Sequence, residues 1–270
     1  MGEPVDLAGM DLGIDGDAAL VTAGSAGLGL ASAEALAREG CDVAVCGRNE
    51  DRLEEARDRL DQLGDGAVRA VQADITRKED VEAFVEGTVD AFGGLDHVVT
   101  SAGGPPPGSF LDTDDDHWYD AYDLLVMSAV WTVREAHPHL ADGGGTVVHI
   151  TSRSVQEVID ELVLSNAVRR AVIGLMKTLS HEFGPEIRVN AVLPGAHETS
   201  RIEELVEAAV DRGDFDSYEE GLAAWGEGVP LERVGDPREL GETVAWLSSD
   251  RSSYVSGVSI PVDGGSTRSV

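Results

Sequence analysis

Short runs of β-branched and small apolar residues alternate along this chain with longer amphipathic runs. The short runs predict strands at residues 18–23, 42–47, 67–73, 95–100, 146–151, 188–193 and 258–262. The longer runs place apolar residues three and four positions apart and predict helices near residues 27–39, 50–63, 77–92, 114–137, 162–183, 200–211 and 237–248. Such alternation predicts an α/β fold, with a doubly wound parallel sheet of about seven strands covered by helices on both faces.

The chain length and the distribution of apolar residues predict a single domain. The 270 residues are 42% hydrophobic, which is enough for one substantial core. We expect this domain over residues 18–270, after an N-terminal extension at 1–17 that has neither a signal-peptide nor a membrane-span pattern. Residues 199–232 depart from the alternation, being helical and charged, and we expect them to form a lid over a substrate pocket.

The charge balance is strongly acidic. Asp and Glu total 51 against 20 Lys and Arg, which gives a net charge of −31, and Lys78 and Lys177 are the only lysines. Self-repulsion of this size is tolerated where salt screens it, so we expect a halophilic protein in a salt-rich cytoplasm. The acids are spread along the chain rather than clustered for a basic partner, and no basic stripe favours nucleic acid.

The cysteines and histidines suggest no metal site. Cys41 and Cys46 bracket the strand predicted at 42–47, too far apart for a disulfide, and we expect buried free thiols in a reducing compartment. The histidines show no metal-ligand spacing with cysteines or acids.

A glycine-rich turn follows the first predicted strand and leads into a helix. The turn, Thr22 to Gly29, includes Ala23, Ser25, Gly27 and Leu28. Glycines let the backbone approach a pyrophosphate, and the free N–H groups of a helix N-terminus stabilise its charge. Tight packing alone would also favour such a turn. Ligands of open α/β sheets bind beyond the carboxyl ends of the strands, so the other candidate residues are expected at strand ends.

The turn resembles the Thr-Gly-x-x-x-Gly-x-Gly motif of the short-chain dehydrogenase/reductase family, and further matches occur in the family's order. Asp74 matches its adenine-side aspartate, and Ser101-Ala102-Gly103 stands where the family has Asn-Ala-Gly. Pro194-Gly195 with Thr199 matches the segment that holds the nicotinamide carboxamide. The resemblance covers roughly residues 17–267.

This resemblance implies a Rossmann-type fold and an NAD(P)(H)-dependent oxidoreductase that reduces a carbonyl or oxidises an alcohol on a small organic substrate. It also implies a homodimer or homotetramer in which the helices at 114–137 and 162–183 pair between subunits. Apolar residues on these helices fit that role, but core packing explains them equally well: Val130, Trp131, Val172, Ile173 and Leu175.

The end of the second strand favours NADP(H) over NAD(H), although NAD(H) remains possible. Gly47 stands where an acidic residue would accept the ribose hydroxyls of NAD(H), and Arg48 is suited to a 2′-phosphate. Ala26 lacks the second basic side chain of many NADP-dependent relatives. Ala23 replaces the first glycine of the motif, which is a mild departure because Ala can serve there if its φ stays negative.

The catalytic positions depart from the family. Ser152 matches its catalytic serine, but Ser165, Arg169 and Leu125 occupy the positions of its tyrosine, lysine and asparagine. An aliphatic hydroxyl is far less acidic than a phenol, so Ser165 is a poor proton donor and is expected to pack under the nicotinamide or to hydrogen-bond there. Arg169 stays protonated but keeps donors for the ribose hydroxyls.

A different acid is therefore required if the chain reduces carbonyls. His197 is the best placed by sequence, with Glu157, Asp160 and Glu161 as alternatives, whereas Tyr119 and Tyr122 are interpreted as packing or surface residues. Water or the substrate itself could also supply the proton. The competing hypothesis is a catalytically silent NADP(H)-binding sensor or assembly subunit, and other chemistry on the same fold is a third.

Overall fold

All seven predicted strands form, and they pair in parallel in one sheet of order β3-β2-β1-β4-β5-β6-β7. A computed structural model describes residues 11–269; residues 1–10 of the predicted N-terminal extension lie outside that range. The strands are β1 Ala18–Val21, β2 Asp42–Gly47, β3 Val68–Gln72, β4 His97–Thr100, β5 Gly145–Ile150, β6 Ile187–Pro194 and β7 Ser259–Val262. The predicted single-domain, Rossmann-type fold is confirmed, with its strand order reversing between β1 and β4.

Helices cover both faces of the sheet and follow the predicted periodicity closely. They are α1 Gly27–Arg38, α2 Glu50–Leu60, α3 Lys78–Phe92, α4 Asp115–Tyr122, α5 Ser128–Gly143, α6 Val163–Glu182, α7 Ser200–Asp211, α8 Tyr218–Gly226 and α9 Pro237–Ser248. The single helix predicted at 114–137 was wrong in one respect, because a π-helical turn at Asp123–Met127 separates α4 from α5. A π turn absorbs extra chain without interrupting the apolar face, so the apolar pattern gave no sign of it.

The core lies on both sides of the sheet because successive strand residues point to opposite faces. On β2, Val43 and Val45 pack towards α1 and α9, whereas Ala44 and Cys46 pack towards the opposite face. Cys41 and Cys46 are both buried and free, as predicted. Burial raises the pKa of both thiols, so neither is a reactive thiolate near neutral pH.

His149 is a fully buried imidazole in the centre of the sheet. It lies on β5, its Nδ1 is 2.6 Å from Thr100 Oγ1 on β4, and its Nε2 has no hydrogen-bond partner. Desolvation lowers the pKa of His149 to about 4 from an ordinary value of 6.5. The folded protein therefore holds a neutral imidazole at this position.

The buried imidazole makes stability depend on pH in a defined window. Between about pH 6.5 and pH 4 the unfolded state binds a proton at His149 that the folded state rejects, so stability falls as the pH falls. The slope from this group is at most about 1.4 kcal/mol per pH unit. We expect His149→Asn to lose this slope, measured by denaturant unfolding across the window at constant KCl. The exposed His181 provides the control variant His181→Asn, and an unchanged slope in His149→Asn would refute the assignment.

Candidate functional site

A cleft of about 790 Å³ opens at the carboxyl ends of the strands, around the point where strand order reverses. Most of the sequence-predicted cofactor residues line it: Ala23, Ser25, Gly27, Leu28, Gly29, Arg48, Asp74, Ser101, Ala102, Gly103, Arg169 and Thr199. Residues that the sequence reasoning had not selected also line it: Ala26, Asn49, Arg52, Thr76, Asp120, Asp123 and Leu124 among them. Pro194 and Gly195 lie beside the cleft rather than on its wall, since Gly195 N–H bonds the carbonyl of Val262 on β7.

The glycine-rich turn is held by backbone hydrogen bonds to neighbouring strands. Thr22 N–H donates to Val99 O at 3.0 Å, and Gly24 N–H donates to Cys46 O at 2.9 Å. Ala23 between them has φ of +47°, so the condition of a negative φ is not met and the departure from glycine is not mild. The two flanking hydrogen bonds impose this left-handed conformation, which costs an alanine about 1–2 kcal/mol.

The third glycine of the turn is required by close backbone approach. A Cβ on Gly29 would lie 2.5 Å from the carbonyl oxygen of Ala23 and 3.1 Å from Ser101 Oγ. The β1 turn is also tied to the loop after β4, because Thr22 Oγ1 donates to Ser101 O at 2.7 Å and accepts from Ser101 N–H at 2.8 Å. The first turn of α1 therefore forms part of the cleft wall, and the N–H groups of a first helical turn have no partner within their own helix.

Two exposed arginines lie at the corner between β2 and α2. Arg48 follows Gly47 at the end of β2, and Arg52 lies four residues further, in the first turn of α2. Asn49 caps this helix by accepting a hydrogen bond from Arg52 N–H at 2.8 Å. The Ser25 side chain packs directly over Gly47, and any Cβ there would collide with Ser25 Oγ. A larger residue at position 47 is therefore excluded unless the turn shifts.

Asp74 closes the cleft on the side of β3. Its Oδ1 accepts hydrogen bonds from Thr76 N–H at 3.0 Å and Thr76 Oγ1 at 2.7 Å. Partial burial opposes ionisation, but the Thr76 hydrogen bonds and the charges of Arg48 and Arg77 outweigh it and lower the pKa of Asp74. Asp74 is therefore an oriented carboxylate at neutral pH.

Three serine hydroxyls gather at the start of α6. Ser152 Oγ accepts a hydrogen bond from Ser154 N–H at 3.1 Å, and the Oγ atoms of Ser154 and Ser165 lie 3.0 Å apart in a buried contact. Ser152 is half-buried, whereas Ser165 is buried against Ser154. Ser154, which sequence reasoning missed, thus contacts both predicted serines, but neither Ser152 nor Ser165 is among the residues that line the cleft.

Arg169 lies one helical turn beyond Ser165 and is 92% buried. One guanidinium nitrogen donates to Thr151 O at 3.3 Å and another to Gly103 O at 3.2 Å, while Nε has no hydrogen-bond partner. Desolvation lowers the pKa of Arg169 to about 10, so it remains a cation at neutral pH. It joins the loops after β4 and β5 and is one of the residues that line the cleft.

His197, the sequence-based choice for a proton donor, lies outside the cleft. Its Nδ1 is 3.3 Å from Gly195 O, and its ring packs against Gly235, to which it is joined by a parallel β-bridge. That bridge directs the imidazole into a separate cavity of about 440 Å³ beside Arg233 and Asp263. Desolvation lowers the pKa of His197, so it is a neutral imidazole, and it lines a different cavity from the cofactor residues.

The alternative acids are no better placed. Asp160 and Glu161 are exposed, and Glu157 lies 3.7 Å from Arg153. Tyr119 and Tyr122 are exposed on α4, in agreement with their interpretation as surface residues. From α4 and the π turn after it, two carboxylates, Asp120 and Asp123, line the cleft together with Leu124.

Two negative findings apply to residues 11–269. The His, Cys, Asp and Glu side chains of this range form no group of three or more that could hold a metal ion. Among the helices that the structure describes, none combines the length and the apolarity needed to cross a bilayer.

Comparison with known proteins agrees with this geometry. Residues 22–267 match the family model described as enoyl-(acyl carrier protein) reductase. The L-sorbose reductase of Gluconobacter frateurii, solved with NADPH and L-sorbose, is 33% identical, with a TM-score of 0.91 over 97% of this chain and 100% of that one. A short-chain oxidoreductase of Pseudomonas aeruginosa PAO1, solved with NADPH and described as containing an atypical catalytic center, is 30% identical, with a TM-score of 0.86 over 94% of this chain and 98% of that one.

A curated relative extends the comparison to sequence. The glucose 1-dehydrogenase of Gluconobacter oxydans is 31% identical, and the match covers 93% of this chain and 92% of the relative. The family model, the relatives and the shared sheet topology together establish that the chain belongs to the short-chain dehydrogenase/reductase family.

Proposed function

We propose that this protein is an NADP(H)-dependent oxidoreductase that reduces a carbonyl or oxidises an alcohol on a small organic substrate. The observation that carries this proposal is the convergence of the glycine-rich turn, Arg48, Asp74 and Arg169 on one cleft at the strand ends. The NADPH complexes of two similar proteins support it. When bound, the nicotinamide supplies or accepts the hydride.

The chain's own residues fit a pyridine dinucleotide. The turn would hold the pyrophosphate through N–H groups of α1, and Asp74 and Thr76 would face the adenine side. The buried cation of Arg169, whose Nε has no partner, would face the nicotinamide ribose hydroxyls. The segment from Pro194 to Thr199 would complete the nicotinamide end.

Cofactor choice follows from the corner after β2. Gly47 is packed under Ser25, which leaves no space for the carboxylate that would accept the ribose hydroxyls of NAD(H). Arg48 offers a planar, permanently charged donor for a 2′-phosphate. NADP(H) is therefore preferred, and NAD(H) is the weaker alternative.

The proton must come from a non-standard donor. Ser152 would hold the substrate oxygen by a hydrogen bond, but Ser165 is bonded to Ser154 and Arg169 remains protonated. None of the candidate acids lines the cleft, whether His197, Glu157, Asp160 or Glu161. We propose that water or the substrate itself supplies the proton, with Ser165 and Arg169 ordering the site rather than titrating.

Three wider proposals concern the whole molecule. Residues 199–232 fold as α7 and α8 and would act as the substrate lid. A homodimer or homotetramer would pair α4 to α6, although Val172 is buried in its own subunit and Val130, Trp131, Ile173 and Leu175 already pack partly on the core. The net charge of −31 favours a salt-rich cytoplasm.

One experiment tests the function. The purified protein in molar KCl is titrated with NADPH and with NADH, and then offered NADPH with sugars, ketones, aldehydes, quinones and acyl thioesters while absorbance is followed. We expect NADPH to bind about tenfold more tightly than NADH, and Arg48→Ala to remove most of that difference. Tighter NADH binding would overturn the cofactor assignment. Tight NADPH binding without turnover of any compound would make the protein a cofactor sensor or assembly subunit instead.

A further inference from the structure

We propose that Arg52 is a second arginine for the 2′-phosphate of NADP(H), and that Glu204 on the lid helix α7 competes with the phosphate for it. The inference rests on the proposed function and deepens it. It assigns the missing second cation, which is absent from the usual position at Ala26, to a residue on a different element.

Arg52 is positioned for this role by its place on α2. It lies in the first turn of α2, four residues after Arg48, which precedes the N-cap Asn49 at the end of β2. Both line the cleft of about 790 Å³, together with Gly47 and Asn49 from the same corner. Both are exposed and able to reorient around a ligand.

The other arginines near this corner are turned elsewhere. Arg59 pairs with the buried carboxylate of Glu34 at 2.5 Å, and Arg57 lies 3.8 Å from Glu54. Of the arginines that line the cleft, Arg169 lies at its opposite end, hydrogen-bonded to the loops after β4 and β5. Arg48 and Arg52 are thus the cations that this wall of the cleft offers to a phosphate.

Arg52 also contacts the lid. Its Nη2 lies 4.0 Å from Glu204 Oε1 in the first half of α7, and both side chains are more than half exposed. An exposed ion pair at this distance is weak because water and salt screen it. A 2′-phosphate carries up to two negative charges and several acceptor oxygens, so it forms the stronger contact with the guanidinium.

Occupation of the corner by a 2′-phosphate would therefore release Glu204. The carboxylate would then lie close to the phosphate, and the two negative charges would repel each other. As a result, the 2′-phosphate, and not the rest of the cofactor, is expected to alter the contact between α7 and α2. The lid would respond differently to NADP(H) and to NAD(H).

The test uses the full chain and probes that differ by the 2′-phosphate alone. Adenosine 2′,5′-bisphosphate and adenosine 5′-monophosphate are titrated into wild type, Arg52→Ala, Glu204→Gln and the control Arg57→Ala at one fixed KCl concentration. We expect Arg52→Ala to lower the affinity for the bisphosphate about tenfold and to leave the affinity for the monophosphate within about twofold of wild type. Glu204→Gln should raise the affinity for the bisphosphate about two- to fivefold, and Arg57→Ala should leave the affinity for both probes unchanged.

Amide hydrogen exchange across residues 200–211 provides the second readout. Exchange there should change with the bisphosphate but not with the monophosphate in wild type, and Glu204→Gln should abolish the difference. If wild type prefers the bisphosphate but Arg52→Ala binds it as tightly as wild type does, Arg52 does not bind the 2′-phosphate and the inference is overturned. If Glu204→Gln has no effect on affinity or exchange, the competition is overturned. If wild type does not distinguish the two probes, the proposed NADP(H) preference fails as well.

Discussion

Replacing Ser165 with Tyr and Arg169 with Lys in the same chain is expected to raise the rate of ketone reduction by about two orders of magnitude or more. A positioned general acid typically contributes 10²–10⁴-fold, and a phenol beside a lysine ammonium is far more acidic than the Ser165 hydroxyl. Both positions lie on one face of α6, where Arg169 lines the cleft and Ser165 is buried against Ser154, so a tyrosine side chain would have to extend past Ser154 to reach the proposed substrate site. The gain is measured as NADPH oxidation with a ketone in saturating cofactor.

A matched control separates the effect of the tyrosine hydroxyl from the effect of the aromatic ring. The double variant Ser165→Phe with Arg169→Lys introduces the same aromatic volume against Ser154 but no acid, so it should show no gain. Both double variants lose the Arg169 bonds to Thr151 O and Gly103 O, and NADPH binding must therefore be measured in each. A tyrosine variant that binds NADPH normally yet reduces no ketone would show that the remaining cleft is not built for carbonyl reduction.

The sheet and the outline of the cleft were predictable because their signals are local. Apolar alternation and β-branched runs located all seven strands to within two residues at each end. The ordered motifs at strand ends then identified Gly29, Asp74 and Ser101 as neighbours across one cleft, since parallel strands bring their carboxyl ends to the same edge.

The features that could not be predicted depend on contacts between distant parts of the chain. The φ of Ala23 is imposed by hydrogen bonds from its neighbours to β4 and β2. These hydrogen bonds cannot be predicted from the identity of residue 23 alone. The direction of the His197 ring depends on its bridge to Gly235, which is 38 residues away. Ser165 has a hydroxyl partner only because the loop after β5 folds Ser154 back onto α6.

Arg52 is a cleft residue that the family motif does not identify. It lies in the first turn of the helix predicted at 50–63, so the sequence already places it close to Arg48 at the end of the second strand. The family motif instead points to the position of Ala26 for a second basic residue. Closeness to the end of the second strand was here more informative than the position in a motif.

Substituting Gly29 with Ala is expected to weaken NADPH binding by about 10- to 100-fold. The new Cβ would lie 2.5 Å from the carbonyl oxygen of Ala23, and this backbone cannot retreat because the hydrogen bonds of Thr22 and Gly24 hold it on both sides. Relief of the collision must therefore move the start of α1 away from the turn that would hold the pyrophosphate. Overpacking of this kind costs about 1–3 kcal/mol, and each 1.4 kcal/mol lost from binding is a factor of ten in affinity.

Gly94→Ala is the matched control for this substitution. Gly94 lies between α3 and β4, and a Cβ there would meet no atom within 4 Å, so the variant should bind NADPH as wild type does. Binding is followed by calorimetry in molar KCl, with thermal unfolding of both variants measured beside it. A folded Gly29→Ala protein with wild-type affinity would show that the pyrophosphate is not held at this turn. Loss of binding in both variants would instead trace the effect to general destabilisation, because only Gly29 faces the cleft.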